Sequence, residues 1–374
     1  MPWRNVTKMS QRKEFIMLSQ TEQIDFSALC KRFGVSRKTG YKWLGRYCHE
    51  GASGLQDRSR RPVKITRRIE PAVEDAIVSM RMAHPTWGAR KIRKRLQGAH
   101  EGTVPACSTI TGVFHRHNLA NPQNPQGRKD WQRFEHPAPN CLWQMDFKGP
   151  VETLSGRVHP LTMLDDYSRF NLCLAAKLNQ QTQTVEAALT DTFHRYGLPN
   201  TILVDNGSPW GSDAEHPYTP LGLWIMRLGV RVAHSRPYHP QTLGKDERFH
   251  RTLKQDLLAT RQWLDIHQLQ HALDAWRDIY NFERPHEAIG LNVPASRYNP
   301  SLRPFPEKLP PLEYPREAFV RKVQQGGEFS FKGRTFKISK CFAGYPIGVM
   351  PTTTDGVLYI LFGNQKVADI DLRT

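Results

Sequence analysis

The sequence predicts a multidomain α/β protein: a mixed five-stranded sheet with helices, preceded by two helical units and followed by a small β module. Three observations predict it. Between Cys141 and Tyr298, three apolar strands with short connections give way to alternating helical and extended segments. Ahead of them, apolar residues recur at i, i+3, i+4 spacing. Beyond a Pro-rich stretch, short alternating strands are punctuated by Gly turns. A length of 374 residues suggests two to four domains.

The chain carries 53 Lys and Arg against 35 Asp and Glu, a formal charge of +18 and a pI near 9.8. That surplus favours a polyanionic partner, with nucleic acid ahead of a membrane surface. No run of about 18 apolar residues exists to span a bilayer, and the first residues hold no secretory signal. The six cysteines (Cys30, Cys48, Cys107, Cys141, Cys173 and Cys341) form no C-x-x-C pair, so reduced thiols are expected rather than a disulfide framework or a zinc site.

In chain order, residues 1–60 are expected to form a first DNA-binding domain. Met1 to Arg68 carries 16 Lys and Arg against 5 Asp and Glu, a net +11. Phe26, Leu29, Cys30 and Phe33 make one apolar stripe, and Gly34-Val-Ser36 makes a turn with Ser36 as N-cap. The next helix, about Arg37 to Tyr47, buries Trp43, Leu44 and Tyr47 and shows Arg37, Lys38 and Lys42. Two short helices across such a turn, the second basic, read as a helix-turn-helix, with a generic αα-hairpin as the alternative. Gly51 to Pro62, with Arg58, Arg60 and Arg61, is either a solvated linker or a segment that follows a phosphate backbone. Residues 61–120 are a second helix-turn-helix-like unit or a packing module. Val73, Ala76, Ile77 and Met80 form its first stripe, a basic helix carries Ile92 and Leu96, and Ser108 is the expected cap of a third helix. Residues 121–140 read as a linker.

The core, residues 141–298, starts with strands at Leu142 to Phe147, His159 to Asp165 and Phe170 to Ala176. A helix through Val185 and Phe193 closes at Gly197. Thr201 to Val204 is a short apolar run, as expected of a central strand. A helix over Leu221 to Leu228 and a strand over Val230 to Ala233 follow. Thr242 is the expected N-cap of a helix running to about Ala259, and Leu264 to Arg284 is another amphipathic helix. Residues 299–318 form a Pro-rich linker. In residues 319–374 the inward sets are expected at Phe329, Phe331, Phe336 and Ile338, at Ile347 and Val349, at Val357, Tyr359 and Leu361, and at Val367 and Ile370.

Asp146 lies in Trp143-Gln-Met-Asp-Phe147 and Asp205 in Val204-Asp-Asn-Gly207, each at a predicted strand end. Glu247, Arg251 and Lys254 are spaced i, i+4, i+7 on the helix after His239-Pro-Gln-Thr242, so one carboxylate and two cations share a face. Three carboxylates presented from separate elements, with cations beside them, suit a divalent metal and phosphate chemistry. Asp246 is expected as an exposed neighbour, about 100° around the helix from Glu247. Asp165 and Asp166 are expected to support the site rather than hold metal.

Together Trp143-Gln-Met-Asp146, Leu164-Asp-Asp-Tyr-Ser-Arg169, Val204-Asp-Asn-Gly207, His239-Pro-Gln-Thr242 with Gly244 to Lys254, and Tyr280-Asn-Phe-Glu-Arg-Pro-His286 resemble bacterial insertion-sequence transposases with an Asp-Asp-Glu, retroviral-integrase-like core. The resemblance implies a ribonuclease-H-like order for the core and a small SH3-like barrel at the C-terminus. It implies that Asp146, Asp205 and Glu247 are both catalytic residues and ligands of two Mg²⁺ ions, with Mn²⁺ able to substitute. The implied reaction is hydrolysis at the 3′ ends of an element, then attack of the freed 3′-hydroxyl on target DNA. Double-stranded DNA is the implied partner, bound through Arg37, Lys38, Lys42, Arg58, Arg60, Arg61, Arg251 and Lys254 by a dimer or larger assembly in the bacterial cytoplasm, at the nucleoid. No membrane and no nucleotide cofactor are expected, and no P-loop is present. Arg284 and His286 are expected to be structural. The 41 residues between Asp205 and Glu247 exceed the family's usual count, and Pro209 to Pro220 is expected to hold the excess. Leu243 stands where a polar residue is commoner. The alternatives are a DNA-binding regulator or inactive relic, and a plain nuclease on the same core.

Overall fold

The computed structural model describes residues 7–21, 24–59, 69–99, 102–120, 135–211, 218–235 and 244–373. They fall into two compact units, Met1–Arg68 and Ile69–Thr374. Among them no helix is long and apolar enough to cross a membrane. The expected cap Thr242, the connector residues Arg60 and Arg61, and most of the 121–140 segment lie outside the described residues.

The first unit has three helices, α1 (Lys8–Ser19), α2 (Phe26–Arg32) and α3 (Arg37–Glu50). Each starts on a side-chain oxygen: Thr7 accepts from the Ser10 amide, Asp25 from Ser27 and Ser36 from Thr39, which satisfies amides that a helix start leaves open. Phe15, Ile16, Leu29, Cys30, Trp43 and Leu55 form the core. Helix α3 approaches α2 closely at Gly40, where a Cβ would lie 2.7 Å from Cys30 Sγ. Helix α1 is absent from the sequence reading because it buries only Phe15 and Ile16, too few for a periodic stripe.

The second unit opens with α4 (Pro71–Ala83), α5 (Ala89–Ala99) and α6 (Cys107–Arg116) around Ile77, Trp87, Ile92, Leu96, Ile110, Val113 and Phe114. Ser108 is not the cap of α6. The helix begins one residue earlier, behind Ala106, with no side-chain cap. Buried Arg81 ties the three together by donating to the carbonyls of Trp87 and Leu119.

The core comprises β1 (Leu142–Phe147), β2 (Val151–Thr153), β3 (Gly156–Asp165), β4 (Asn171–Lys177), α7 (Thr182–Tyr196), β5 (Thr201–Val204), α8 (Pro220–Arg227), β6 (Arg231–His234), α9 (Gly244–Leu253) and α10 (Ile266–Asp278). Its five main strands run in the order β4-β3-β1-β5-β6. The β3 pairings with β1 and β4 are antiparallel, and the β5 pairings with β1 and β6 are parallel. This is the ribonuclease-H-like order, with β2 added as a hairpin partner of β3. One face packs Trp143, Met145, Leu161 and Met163 on α7 residues Val185, Leu189 and Phe193. The other packs Val158, Leu164 and Leu174 on Phe249, Leu253, Leu269, Leu273 and Trp276 of α9 and α10. Period-two alternation therefore turns Gln144 and Asp146 toward α9.

Gly197 ends α7 at φ +75°, and any Cβ there would strike the carbonyls of Ser301 and Arg303 at 2.8 and 2.7 Å. Those carbonyls belong to the Pro-rich segment, which lies along the core. Arg303 donates to the carbonyls of Pro199 and Gly229, and Phe305 packs near Phe193.

Beyond it, β7 (Phe319–Lys322), β8 (Glu328–Phe331), β9 (Arg334–Lys337), β10 (Pro346–Pro351), β11 (Val357–Phe362) and β12 (Gln365–Asp371) form a four-stranded antiparallel sheet, β12-β11-β10-β7, and a separate β8-β9 hairpin. Among the described residues these are two small sheets around one core rather than a closed barrel. The inward set of β11 is corrected in part: Leu361 is buried as expected, but Leu358 and Ile360 are buried as well and Tyr359 is exposed. The run Val357-Leu-Tyr-Ile-Leu-Phe362 is apolar at nearly every position, so alternation alone does not set its phase.

Candidate active site

Asp146 sits on β1 opposite Thr162 of β3. Its side chain is 28% exposed, at the edge of the sheet face that α9 covers. Burial, then the charge of Asp205 and, more weakly, that of Glu247 push its carboxyl up to about 7 against the Phe147 amide and Lys148. Asp205 and Glu247 thus both act on the carboxyl of Asp146.

Asp205 follows β5 immediately. Burial raises its carboxyl, with His234 opposing. Its Oδ1 is buried and has no hydrogen-bond partner among the described residues. Asn206 pins the turn by donating to the Ser235 carbonyl at 2.8 Å. A Cβ on Gly207 would make ordinary van der Waals contact with the Asp205 carboxylate, 3.4 Å from Oδ2. Of the 209–220 loop, residues 212–217 lie outside the described residues.

Helix α9 corrects the expectation for Asp246. Glu247 is exposed, as are Arg251 and Lys254 on the same face. Asp246 is 0% exposed and joins Phe249, His250 and Leu253 on the buried stripe. The rings of Phe249 and Tyr280 meet edge to face at 4.9 Å, which anchors that stripe. Asp246 Oδ2 has no hydrogen-bond partner among the described residues, and burial together with Asp146 holds its carboxyl well above the usual range. His250 Nε2 lies 2.8 Å from Thr162 Oγ1 and His250 Nδ1 3.8 Å from Asp146 Oδ2. Burial, with Lys148, lowers the His250 imidazole to about 4. The sequence carried a signal for these residues: 246, 249, 250 and 253 follow i, i+3, i+4, i+7 with apolar Phe249 and Leu253 as guides.

Asp165 and Asp166 are structural. Asp165 accepts from the Ser168 amide and hydroxyl and from the Asn140 amide. Asp166 accepts from Gln144 Nε2 and the His136 amide and forms an ion pair with Lys245, which ties the start of α9 to β3. Arg284 pairs with Asp256 at 3.4 Å, and His286 is buried against Tyr280.

In the first unit Arg37, Lys38 and Lys42 are exposed on α3. Arg58 forms an ion pair with Glu50.

Asp146 on β1 beside Asp246 of α9, with Asp205 directly after β5, on a ribonuclease-H-like sheet that follows helical units in the chain, points to an integrase-type core. Residues 136–240 and 228–294 each match the integrase core domain family. Residues 318–374 match the C-terminal domain of IS481 family transposases, residues 11–62 a helix-turn-helix domain and residues 39–113 a homeodomain-like domain. The chain belongs to the integrase-core family and carries the C-terminal domain found in IS481 family transposases. It is 24% identical over 212 residues to the "Putative transposase for insertion sequence element IS5376" of Geobacillus stearothermophilus, covering 55% of this chain and 51% of that one. The chain thus spans about half the length of that relative. It is 31% identical to protein YlbG of Escherichia coli over 106 residues, 28% of this chain and 85% of YlbG. A chain of the simian T-cell lymphotropic virus intasome is similar at 16% identity and a TM-score of 0.38, covering 79% of this chain and 99% of that chain.

Proposed function

We propose that the chain is a DNA transposase that binds the ends of a mobile element, hydrolyses the 3′ phosphodiester and joins the freed 3′-hydroxyl to target DNA. What supports this reading is the placing of three carboxylates on separate elements of one core: Asp146 on β1, Asp205 directly after the neighbouring strand β5, and Glu247 on α9, which packs on the same sheet. Asp146, Asp205 and Glu247 would hold two divalent ions, Mg²⁺ with Mn²⁺ as substitute. The donor set is all oxygen, and the unpartnered buried Oδ1 of Asp205 fits a cation there. When bound, such ions activate a water or hydroxyl and stabilise the leaving oxygen. Arg251 and Lys254, exposed beyond Glu247, would hold flanking phosphates. Arg37, Lys38, Lys42, Arg58, Arg60 and Arg61 would contact the element ends. Within the proposed division, residues 1–60 and 61–120 recognise ends, 121–140 and 299–318 connect, 141–298 catalyses and 319–374 is an accessory module. Processing both ends together requires a dimer or larger assembly on DNA.

The test incubates purified protein with labelled element ends, supercoiled plasmid and Mg²⁺. Joined products support the reading. Nicks alone indicate a nuclease, and a shifted band alone indicates a regulator or relic; either overturns it.

A further inference from the structure

The catalytic proposal uses Asp146 but leaves the groups behind it unexplained. Asp246 and His250 are 0% and 9% exposed, and one ligand atom from each, together with one from Asp146, lies within 4.8 Å of the others. Asp246 is a buried carboxylate whose nearest cation-forming group, His250 Nε2, stands 3.9 Å away, and its Oδ2 has no hydrogen-bond partner among the described residues. A buried carboxyl in this setting calls for a proton or a cation.

The tautomer of His250 tells which atom is available. Thr162 has one hydroxyl proton. It donates that proton to the Asp146 carbonyl at 2.9 Å, or to Asp246 Oδ1 at 3.4 Å. When that proton goes to either of these acceptors, the Thr162 oxygen accepts from His250 Nε2 at 2.8 Å, which selects the tautomer with the imidazole proton on Nε2. That leaves the Nδ1 lone pair facing Asp146 Oδ2 at 3.8 Å. A lone pair and a carboxylate oxygen repel unless a positive centre lies between them. The Nε2–H to Thr162 bond is also the kind of outer contact that orients a metal-binding imidazole.

The geometry points to a mixed nitrogen–oxygen site, formed by Asp146, Asp246 and His250 Nδ1, for a first-row transition metal ion such as Mn²⁺, Co²⁺ or Zn²⁺. An imidazole nitrogen beside two carboxylates suits those ions better than Mg²⁺, which takes oxygen ligands. The site lies on the buried side of Asp146, whose partly exposed carboxylate provides the way in. It shares that one ligand with the proposed catalytic set and does not depend on strand transfer.

The test loads the full chain with one equivalent of Mn²⁺ in excess Mg²⁺ and records pulsed electron paramagnetic resonance. Imidazole nitrogen coupling to Mn²⁺ is expected in the wild type and in Glu247→Gln. It is expected to vanish in His250→Gln, and Asp246→Asn is expected to weaken Mn²⁺ binding about tenfold or more. Mn²⁺ that binds without nitrogen coupling, coupling that survives His250→Gln or is lost in Glu247→Gln, unchanged affinity in Asp246→Asn, or no Mn²⁺ binding at all each overturns the site. Where a variant melts early, the wild-type and Glu247→Gln spectra decide. End joining in Mg²⁺ is scored separately, so Mn²⁺ bound through oxygen alone removes this site and leaves the transposase reading standing.

Discussion

Asp146 and Asp246 present two carboxylates to one small volume, and their neighbours separate their roles. Asp146 is part exposed and feels Asp205 and Glu247, whereas Asp246 is enclosed with Thr162 and His250. Asp146→Asn, Asp205→Asn and Glu247→Gln are each expected to lower cleavage and joining by at least about 10²-fold, the scale of losing one electrostatic contact to the reacting centre. End binding should be unchanged. Gel-resolved joining and a mobility shift on the same preparation check this, and joining at the wild-type rate would remove that residue from the catalytic set. Asp166 acts through Lys245, so Asp166→Ala should loosen the start of α9, which carries Glu247, and lower joining in the gel assay while Asp146 and Asp205 stay in place. Asp166→Asn, which keeps the Gln144 contact, should recover part of that loss.

At the scale of elements, the first helical group of the second unit is fastened to the core. Thr86 Oγ1 donates to Asp256 Oδ1 at 2.6 Å, and Asp256 also faces Arg284, with both charged side chains 11% exposed. Removing the carboxylate strands a buried guanidinium, so Asp256→Ala should cost about 3 kcal/mol in a denaturant melt. Lys91 on α5 lies nearby. Burial, then the charge of Arg284, lowers its ammonium to about 8. Its folded pKa is below the unfolded value, so the unfolded chain binds more protons between about 8 and 10.5 and stability rises with pH across that window. Lys91→Met should therefore melt higher than wild type at pH 7, and the gap should narrow as pH climbs past 8. A constant gap would show that Lys91 is solvated. These fastenings were not legible in the sequence, because Thr86 and Lys91 are far in the chain from Asp256 and Arg284 and each has an ordinary surface alternative. The strands and helices of the core were legible where apolar period and turn residues agreed, as at Thr201 to Val204 and in the helix ending at Gly197. In the C-terminal module the strand β11 was legible too, but not which of its side chains face inward, because nearly every position is apolar.

For the whole molecule the relevant quantity is charge. Of the formal +18, Met1 to Arg68 carries a net +11 and forms a compact unit of its own. Deleting residues 1–68 should abolish sequence-specific end binding while leaving a cooperative melt for the remainder, measured by mobility shift and circular dichroism. Binding by the intact chain should fall steeply with salt, with a log–log slope of about −0.9 per phosphate contacted. A salt-independent complex would mean that the basic surplus does not face DNA.

By itself the sequence determined the class of protein and the order of its helices and strands, and it singled out Asp146, Asp205 and Glu247 as the carboxylates proposed for the site. Those follow from local period, turn chemistry and motifs read in chain order. Only the tertiary structure decided that Asp246 is enclosed while Glu247 is exposed, and that Thr162 of β3 orients His250 of α9 toward Asp146 of β1. A helix period names a face, but which face meets the sheet is set by how Phe249 and Leu253 pack against α10 and β3, contacts between residues distant in the chain.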